Sequence, residues 1–175
     1  MTAYRRMSFH LETERLRLRP WAGSDAERLR LLHAERGNGT PTAEHTGGLI
    51  AKQLRTTETT GIALLPIRLR EDASSDGDAG GDFIGYCGLI VGRSTVDEPE
   101  IAYELFRQAH GHGYATEAAR AVLAAAAATG RQRLWSTVRP GNTPSFRVLE
   151  KLGFERHHHT TDDTGEHVWL TRALP

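Results

Sequence analysis

Gln108-Ala-His-Gly-His-Gly-Tyr-Ala-Thr-Glu117 is the stretch of this chain whose residue types and spacing are best suited to chemistry. Gly111 and Gly113 stand between an alternating run, Glu100 to Phe106, and an alanine-rich run that ends at Gly130. Strand, glycine turn and helix in that order aim several backbone N–H groups at one point. An anion suits that point, because the first N–H groups of a helix lack internal partners and the dipole favours negative charge. Glycine at 111 and 113 lets phosphate oxygens reach the backbone without meeting a Cβ. The run is not a P-loop, since no Gly-Lys-Ser/Thr follows, nor the three-glycine dinucleotide fingerprint. Gly-x-Gly before a helix can also serve only to turn the chain. His110 and His112 flank the loop, and their side chains are expected to face outward.

Four further places invite a chemical reading. Glu100 and Glu104 fall on one strand face with Ala102 between them. They are open to two readings, a solvated sheet face or a place where an acceptor binds and a general base acts through water. Asn142 is placed to cap a helix, an ordinary role worth about 1 kcal/mol. Ser145 shares a helix face with Val148 and Leu152, so it is expected to point inward. His157-His-His159 suggests a metal, but neighbouring strand residues point to opposite faces, and no metal site is expected.

The elements that must position these residues follow from the rest of the chain. Glu14 to Arg19 alternates, with Leu16 and Leu18 on one face and three arginines on the other, which predicts a half-buried strand. Ser24-x-x-Glu27 reads as a capping box opening a helix that uses Ala26, Leu29, Leu32 and His33 for one face. A second helix, from about Ala43 to Arg55, follows the break at Gly37–Pro41 and carries no motif. Gly61–Leu69 reads as a strand that Pro66 places at an edge or bulge. The acidic, glycine-rich run 71–82 lacks EF-hand spacing and predicts a flexible hairpin connection. Phe83–Val91 is a nearly continuous apolar strand, the pattern of a sheet centre. After the glycine loop come a helix to Gly130, a strand at Leu134–Val138 and a helix with Pro144 in its first turn. Gly153 and Phe154 predict a Schellman stop against Leu149, and a hairpin over about 154–159 and 166–172 closes the chain. One βαβ crossover among otherwise antiparallel connections predicts a mixed sheet.

Composition narrows the class. At 175 residues the chain suits one domain spanning 1–175. Its 22 basic and 22 acidic residues balance, so nothing global draws it to nucleic acid or an anionic membrane. The apolar runs fall short of a membrane span, the N-terminus lacks a secretory apolar region, and Cys87 alone rules out an intramolecular disulfide. A cytoplasmic protein is expected.

Gln108-x-x-Gly111-x-Gly113 resembles the acetyl-CoA pyrophosphate loop of the GNAT acetyltransferase superfamily. The run Ile101-Ala-Tyr-Glu-Leu…Gly111-His-Gly-Tyr-Ala-Thr-Glu-Ala118 is similar to the branch holding the ribosomal-protein N-terminal (alanine) acetyltransferases. Asn142-x-x-Ser145…Glu150-Lys-Leu-Gly-Phe154 and the opening Leu11-Glu-Thr-Glu-Arg-Leu16 extend that resemblance over nearly the whole chain. It implies a mixed, mostly antiparallel α/β sheet of about seven strands flanked by about four helices. It also implies acetyl-CoA as cosubstrate, bound by Gln108, His110, Gly111, His112, Gly113, Tyr114 and Ala115, with backbone groups of Leu105 and Phe106 and the Asn142 side chain on the pantetheine arm. Ser145 would stand beside the sulfur as proton donor to the leaving thiolate, and Glu104 or Glu100 would serve the acceptor amine. Protein N-termini and small molecules both remain open as acceptors, and a homodimer is left open too. The alternative is a non-catalytic CoA-binding regulatory protein of the same fold. A nucleotide phosphotransferase would need a lysine and metal carboxylates that the motifs do not supply.

Overall fold

The computed structural model describes residues 3–70 and 82–175. The alternating and apolar runs form one sheet of eight strands: β1 (Leu11–Glu12), β2 (Leu16–Leu18), β3 (Leu64–Leu69), β4 (Phe83–Ile90), β5 (Glu100–Leu105), β6 (Arg133–Val138), β7 (Glu155–Asp162) and β8 (Gly165–Ala173). Their order across the sheet is β1-β2-β3-β4-β5-β6-β8-β7. All pairs are antiparallel except β5 with β6. The mixed, mostly antiparallel α/β fold is therefore as expected, and the strand beyond seven is the two-residue β1.

Helices α1 (Ala26–Ala34) and α2 (Ala43–Thr60) cover one face, and α3 (Tyr114–Ala128) and α4 (Thr143–Lys151) the other. The larger core lies under α3 and α4. There Ala118, Ala119, Val122 and Ala126 meet Cys87, Leu89, Ile101 and Leu134, small helical residues letting the helix lie close to the sheet. A smaller cluster of Trp21, Leu29, Leu32, Ile50, Phe83 and Phe106 lies under α1 and α2. α4 ends in the Schellman pattern its sequence predicts. The Phe154 N–H donates to the Leu149 carbonyl at 3.0 Å and the Gly153 N–H to that of Glu150 at 3.1 Å.

Several local expectations are corrected. The opening of α1 is fixed by Asp25, not by Ser24 and Glu27. The Asp25 carboxylate accepts the Ala22 N–H at 2.9 Å and pairs with Arg68, while Glu27 bonds Arg30. α2 runs to Thr60, where Gly61 stops it in a left-handed conformation. β3 is not an edge strand, but β2 pairs only with Ile67–Leu69 and so has ended before Pro66. The missing N–H there costs no β2 bond, and the register shift falls one residue further on, between Ile67 and Arg68. The closing hairpin is longer than expected at both strands. The predicted flexible connection at 71–82 lies, but for Asp82, outside the described residues.

Candidate active site

The glycine loop begins where β5 ends. One turn of 3-10 helix (Arg107–Ala109) carries Gln108 at the surface, and Gly111 and Gly113 then both adopt φ of +79°. That left-handed conformation strains any residue with a Cβ. α3 begins with Gly113 as its N-cap and no capping side chain. Its first main-chain bond is Glu117 N–H to the Gly113 carbonyl at 3.0 Å. Among the described residues, the N–H groups from Gly111 to Thr116 donate to no protein acceptor. A row of free donors thus coincides with the positive end of a 15-residue helix. His112 faces outward with its ring stacked on Tyr114 at 5.3 Å. His110 is exposed, but its Nε2 turns back to 3.0 Å from the Leu105 carbonyl oxygen.

The sequence makes Arg15 only one of three outward arginines, and the structure gives it a place at this loop. Its guanidinium bonds Glu117 at 2.7 Å, donates to the His112 carbonyl at 2.9 Å and lies over the Tyr114 ring. Glu117 also accepts from the Thr13 hydroxyl and the Arg15 N–H, tying the β1–β2 turn to the start of α3. No local pattern could reveal this, because the partners lie about 100 residues apart.

Beyond the loop the sheet opens. β5 and β6 pair through a single register position, Glu100 with Trp135, held by Trp135 N–H to the Pro99 carbonyl at 2.9 Å. Past that point the parallel strands diverge and leave a cavity of about 690 Å³. Its lining joins Tyr103, Asn142 and Ser145 on the α4 side to Arg36, Tyr86 and Glu100 on the α1–α2 side. It is a slot through the sheet. Phe106 spends its N–H on the Ile84 carbonyl at 2.9 Å, so that donor is not free for a ligand. Leu105, whose backbone points the opposite way, presents its N–H to the gap that β6 has left. Asn142 caps α4, its Oδ1 accepting the Ser145 N–H at 3.3 Å. The Ser145 carbonyl accepts the Tyr103 hydroxyl at 3.2 Å. Burial pushes the Tyr103 phenol up to about 12, so it stays protonated at neutral pH.

The α1–α2 side of the slot is charged. Glu104 accepts from Arg36 Nε at 2.9 Å and from Arg36 Nη2 at 2.5 Å, and the Tyr86 hydroxyl donates to it at 2.7 Å. Burial pushes its carboxyl up, but the bonds from Arg36 and Tyr86 outweigh that and hold it below the usual carboxylate range. Glu100 is 3% exposed, accepting the Arg93 N–H at 2.5 Å and the Thr137 hydroxyl at 2.7 Å. The two glutamates share a strand face but not an environment, and neither is a solvated surface group.

His167, Asp162, Arg93 and Arg139 complete that side, and no sequence motif marks any of them. His167 is 4% exposed and lines the slot, with Nε2 at 2.9 Å from Thr164 Oγ1 and 3.2 Å from Asp162 Oδ1. Arg93 bonds Asp162 at 2.8 Å, and Arg139 donates to the Thr164 carbonyl at 2.6 Å. The β7–β8 turn is thereby fastened against the mouth of the slot. The three consecutive histidines behave differently from strict alternation. A register shift between Arg156 and His158 brings the His157 and His158 rings together against Trp135, with His158 stacked on Trp169 at 4.9 Å. Among the described residues, no group of three metal-ligating side chains converges.

A family model described as an acetyltransferase (GNAT) domain matches residues 15–155, and the chain belongs to that family. The uncharacterized protein YkkB of Bacillus subtilis (strain 168) is 41% identical over 78 residues, 42% of this chain and 44% of that protein. The chain thus matches less than half the length of this curated relative. An acetyltransferase structure from Agrobacterium tumefaciens str. C58 is 29% identical, with a TM-score of 0.74 over 93% of each chain. The ribosomal L7/L12 α-N-protein acetyltransferase RimL, solved with coenzyme A, shares the fold at 13% identity, with a TM-score of 0.78 over 94% of this chain and 98% of that one. No helix among the described residues is long and apolar enough to cross a membrane.

Proposed function

We propose that this protein is an acetyl-CoA-dependent N-acetyltransferase in which a neutral primary amine attacks the thioester directly within a ternary complex. One observation carries the reading: the divergence of β5 from β6 opens a slot through the sheet, with free backbone donors on one side and anchored charged groups on the other. The donors at 111–116 and the absence of any neighbour near a Gly111 Cβ fit a pyrophosphate, and Arg15 adds a cation beside them. Gln108, His110, His112, Tyr114 and Ala115 border that anion, with Leu105 and Asn142 further along the arm. Acetyl-CoA, when bound, supplies the activated acyl group. The Leu105 N–H is placed to polarise a carbonyl in the gap, and Ser145 with Tyr103 to protonate a departing thiolate.

The acceptor class follows from proton availability. At pH 7 roughly a tenth of an α-amine of pKa about 8 is neutral, against about one in two thousand of a lysine of pKa about 10.4. Glu104, held below the carboxylate range, is a weak base for the second. We therefore assign α-amines, such as protein N-termini, as the preferred acceptors, a choice that the fold shared with RimL supports, and place the protein in the cytoplasm. Labelled acetyl-CoA with a peptide carrying a free N-terminus and its N-terminally blocked, lysine-containing twin tests this. Label should enter the free peptide; preferential labelling of the blocked twin rejects the assignment, and labelling of neither across a wider amine panel rejects the activity.

A further inference from the structure

We infer that His167, oriented by Asp162, is the proton acceptor for the incoming amine. The inference rests on the reading of the slot as an acetyl-transfer site. The geometry begins with the hairpin turn between β7 and β8. His167 Nε2 faces two oxygens, Thr164 Oγ1 at 2.9 Å and Asp162 Oδ1 at 3.2 Å. The Thr164 hydroxyl is itself committed to Asp162 Oδ1 at 2.5 Å, so it does not donate to the ring. Asp162, fastened by Arg93 at 2.8 Å, stays ionised because hydrogen bonds from Thr164 and Arg93 hold its carboxyl far below the usual range. The proton of the neutral imidazole therefore resides on Nε2, and Nδ1 carries the lone pair. Nδ1 has no hydrogen-bond partner among the described residues, yet it is not among the enclosed, unsatisfied atoms. The His167 side chain lines the slot, and Nδ1 is its ring nitrogen left without a partner for a group entering there.

Other charged groups around the ring are already engaged. Arg93 is held by Asp162, Arg36 by Glu104, and Arg139 by the Thr164 carbonyl. Glu100 stands across the slot with its carboxylate bonded to Thr137 and the Arg93 N–H, leaving it to attract an ammonium rather than to move a proton. In the step, Nδ1 takes one proton from R–NH3+, and the freed nitrogen lone pair forms the N–C bond. The C–S bond breaks on collapse, a second proton passes from nitrogen to the sulfur through Ser145 or solvent, and the imidazolium returns its proton to water. One hydrogen remains on the amide, and the balance closes.

Two measurements decide the assignment. The first needs no acceptor: nitrogen-15 NMR of wild-type histidines, assigned by the loss of one signal in His167→Gln, should show His167 with a proton on Nε2 and a lone pair on Nδ1. A proton on Nδ1 in the neutral ring overturns the proposal. The second is kinetic, with the free-N-terminus peptide as probe. His167→Gln should lower kcat/KM about 100-fold, leave an acid limb set by the amine's own ionisation at about pH 8 and leave the acetyl-CoA-induced rise in Tm intact. His167→Ala should regain turnover with added imidazole, and Asp162→Asn should lose about tenfold. Retention of kcat/KM within twofold in His167→Gln, or no imidazole rescue in a folded His167→Ala, overturns it. Absence of wild-type turnover with every amine would instead sink the acetyl-transfer reading, while the NMR result still reports on the ring.

Discussion

Between Gly111 and Thr116 the protein offers an incoming molecule its main chain, whereas across the slot it offers side chains from five separate segments. The loop is contiguous, its glycines hold left-handed backbone, and its donors are N–H groups that any sequence would supply once the turn is formed. The opposite wall needs Arg36 from beyond α1, Tyr86 from β4, Glu100 and Glu104 from β5, Thr137 from β6 and His167 from β8. One half of the site is thus specified by local conformation and the other by long-range assembly. On the proposed reading the phosphate-bearing arm is the same whatever the acceptor, so backbone recognition suffices for it, and discrimination among amines falls to side chains whose positions can vary.

The largest expected effect tests the main-chain side. Gly113→Ala should lower Tm and remove the rise that acetyl-CoA produces, about 2.7 kcal/mol of stabilisation at 100 times Kd. Gly130→Ala carries the same left-handed strain at φ +91° with open space around its Cβ, and should lower Tm while keeping the ligand-induced rise. Equal ligand responses in the two variants would break the contrast. His112→Ala removes a ring stacked on Tyr114 but leaves the Gly111–Thr116 N–H groups in place, and should keep the affinity within threefold in calorimetry.

On the side-chain wall the effects should be kinetic and smaller. Glu104→Gln leaves Arg36 and Tyr86 without their anionic partner, and is expected to reduce kcat/KM about tenfold, mainly through the acceptor KM. A loss of 100-fold or more confined to kcat would make Glu104 the base and shift the role from His167. Acetyl-CoA binding, followed in the same variant, should not change.

The smallest effect concerns the strap between the loop and the N-terminal turn. Burial raises the Glu117 carboxyl, but bonds from Thr13 and Arg15 outweigh it and hold the group below its ordinary value. A depressed folded-state pKa stabilises above the unfolded value of about 4.3 and is lost as pH falls through the folded one. Wild-type stability should therefore fall faster than that of Glu117→Gln below about pH 4, the variant being less stable by about 1–2 kcal/mol at pH 7 in urea titrations. Parallel pH curves would remove Glu117 from the strap.

The features legible in the residues alone are local. Alternation and apolar runs placed the strands, Gly153 and Phe154 specified the stop of α4, and Gly111 and Gly113 marked the turn, because periodicity and left-handed backbone leave their mark on neighbouring residues. Ser145 and Asn142 could be placed on one helix terminus for the same reason. The remaining features depend on contacts between distant segments. The bulge in β7 that gathers His157 and His158 depends on pairing with β8, and the clamp of Arg15 on Glu117 joins residues 102 positions apart. His167 and Asp162 are separated by five residues, yet nothing local tells that His167 lines the same slot as Glu100, because that depends on β8 lying beside β6. Charges recruited across such distances leave no period to read, and the charged wall of the slot is made of them.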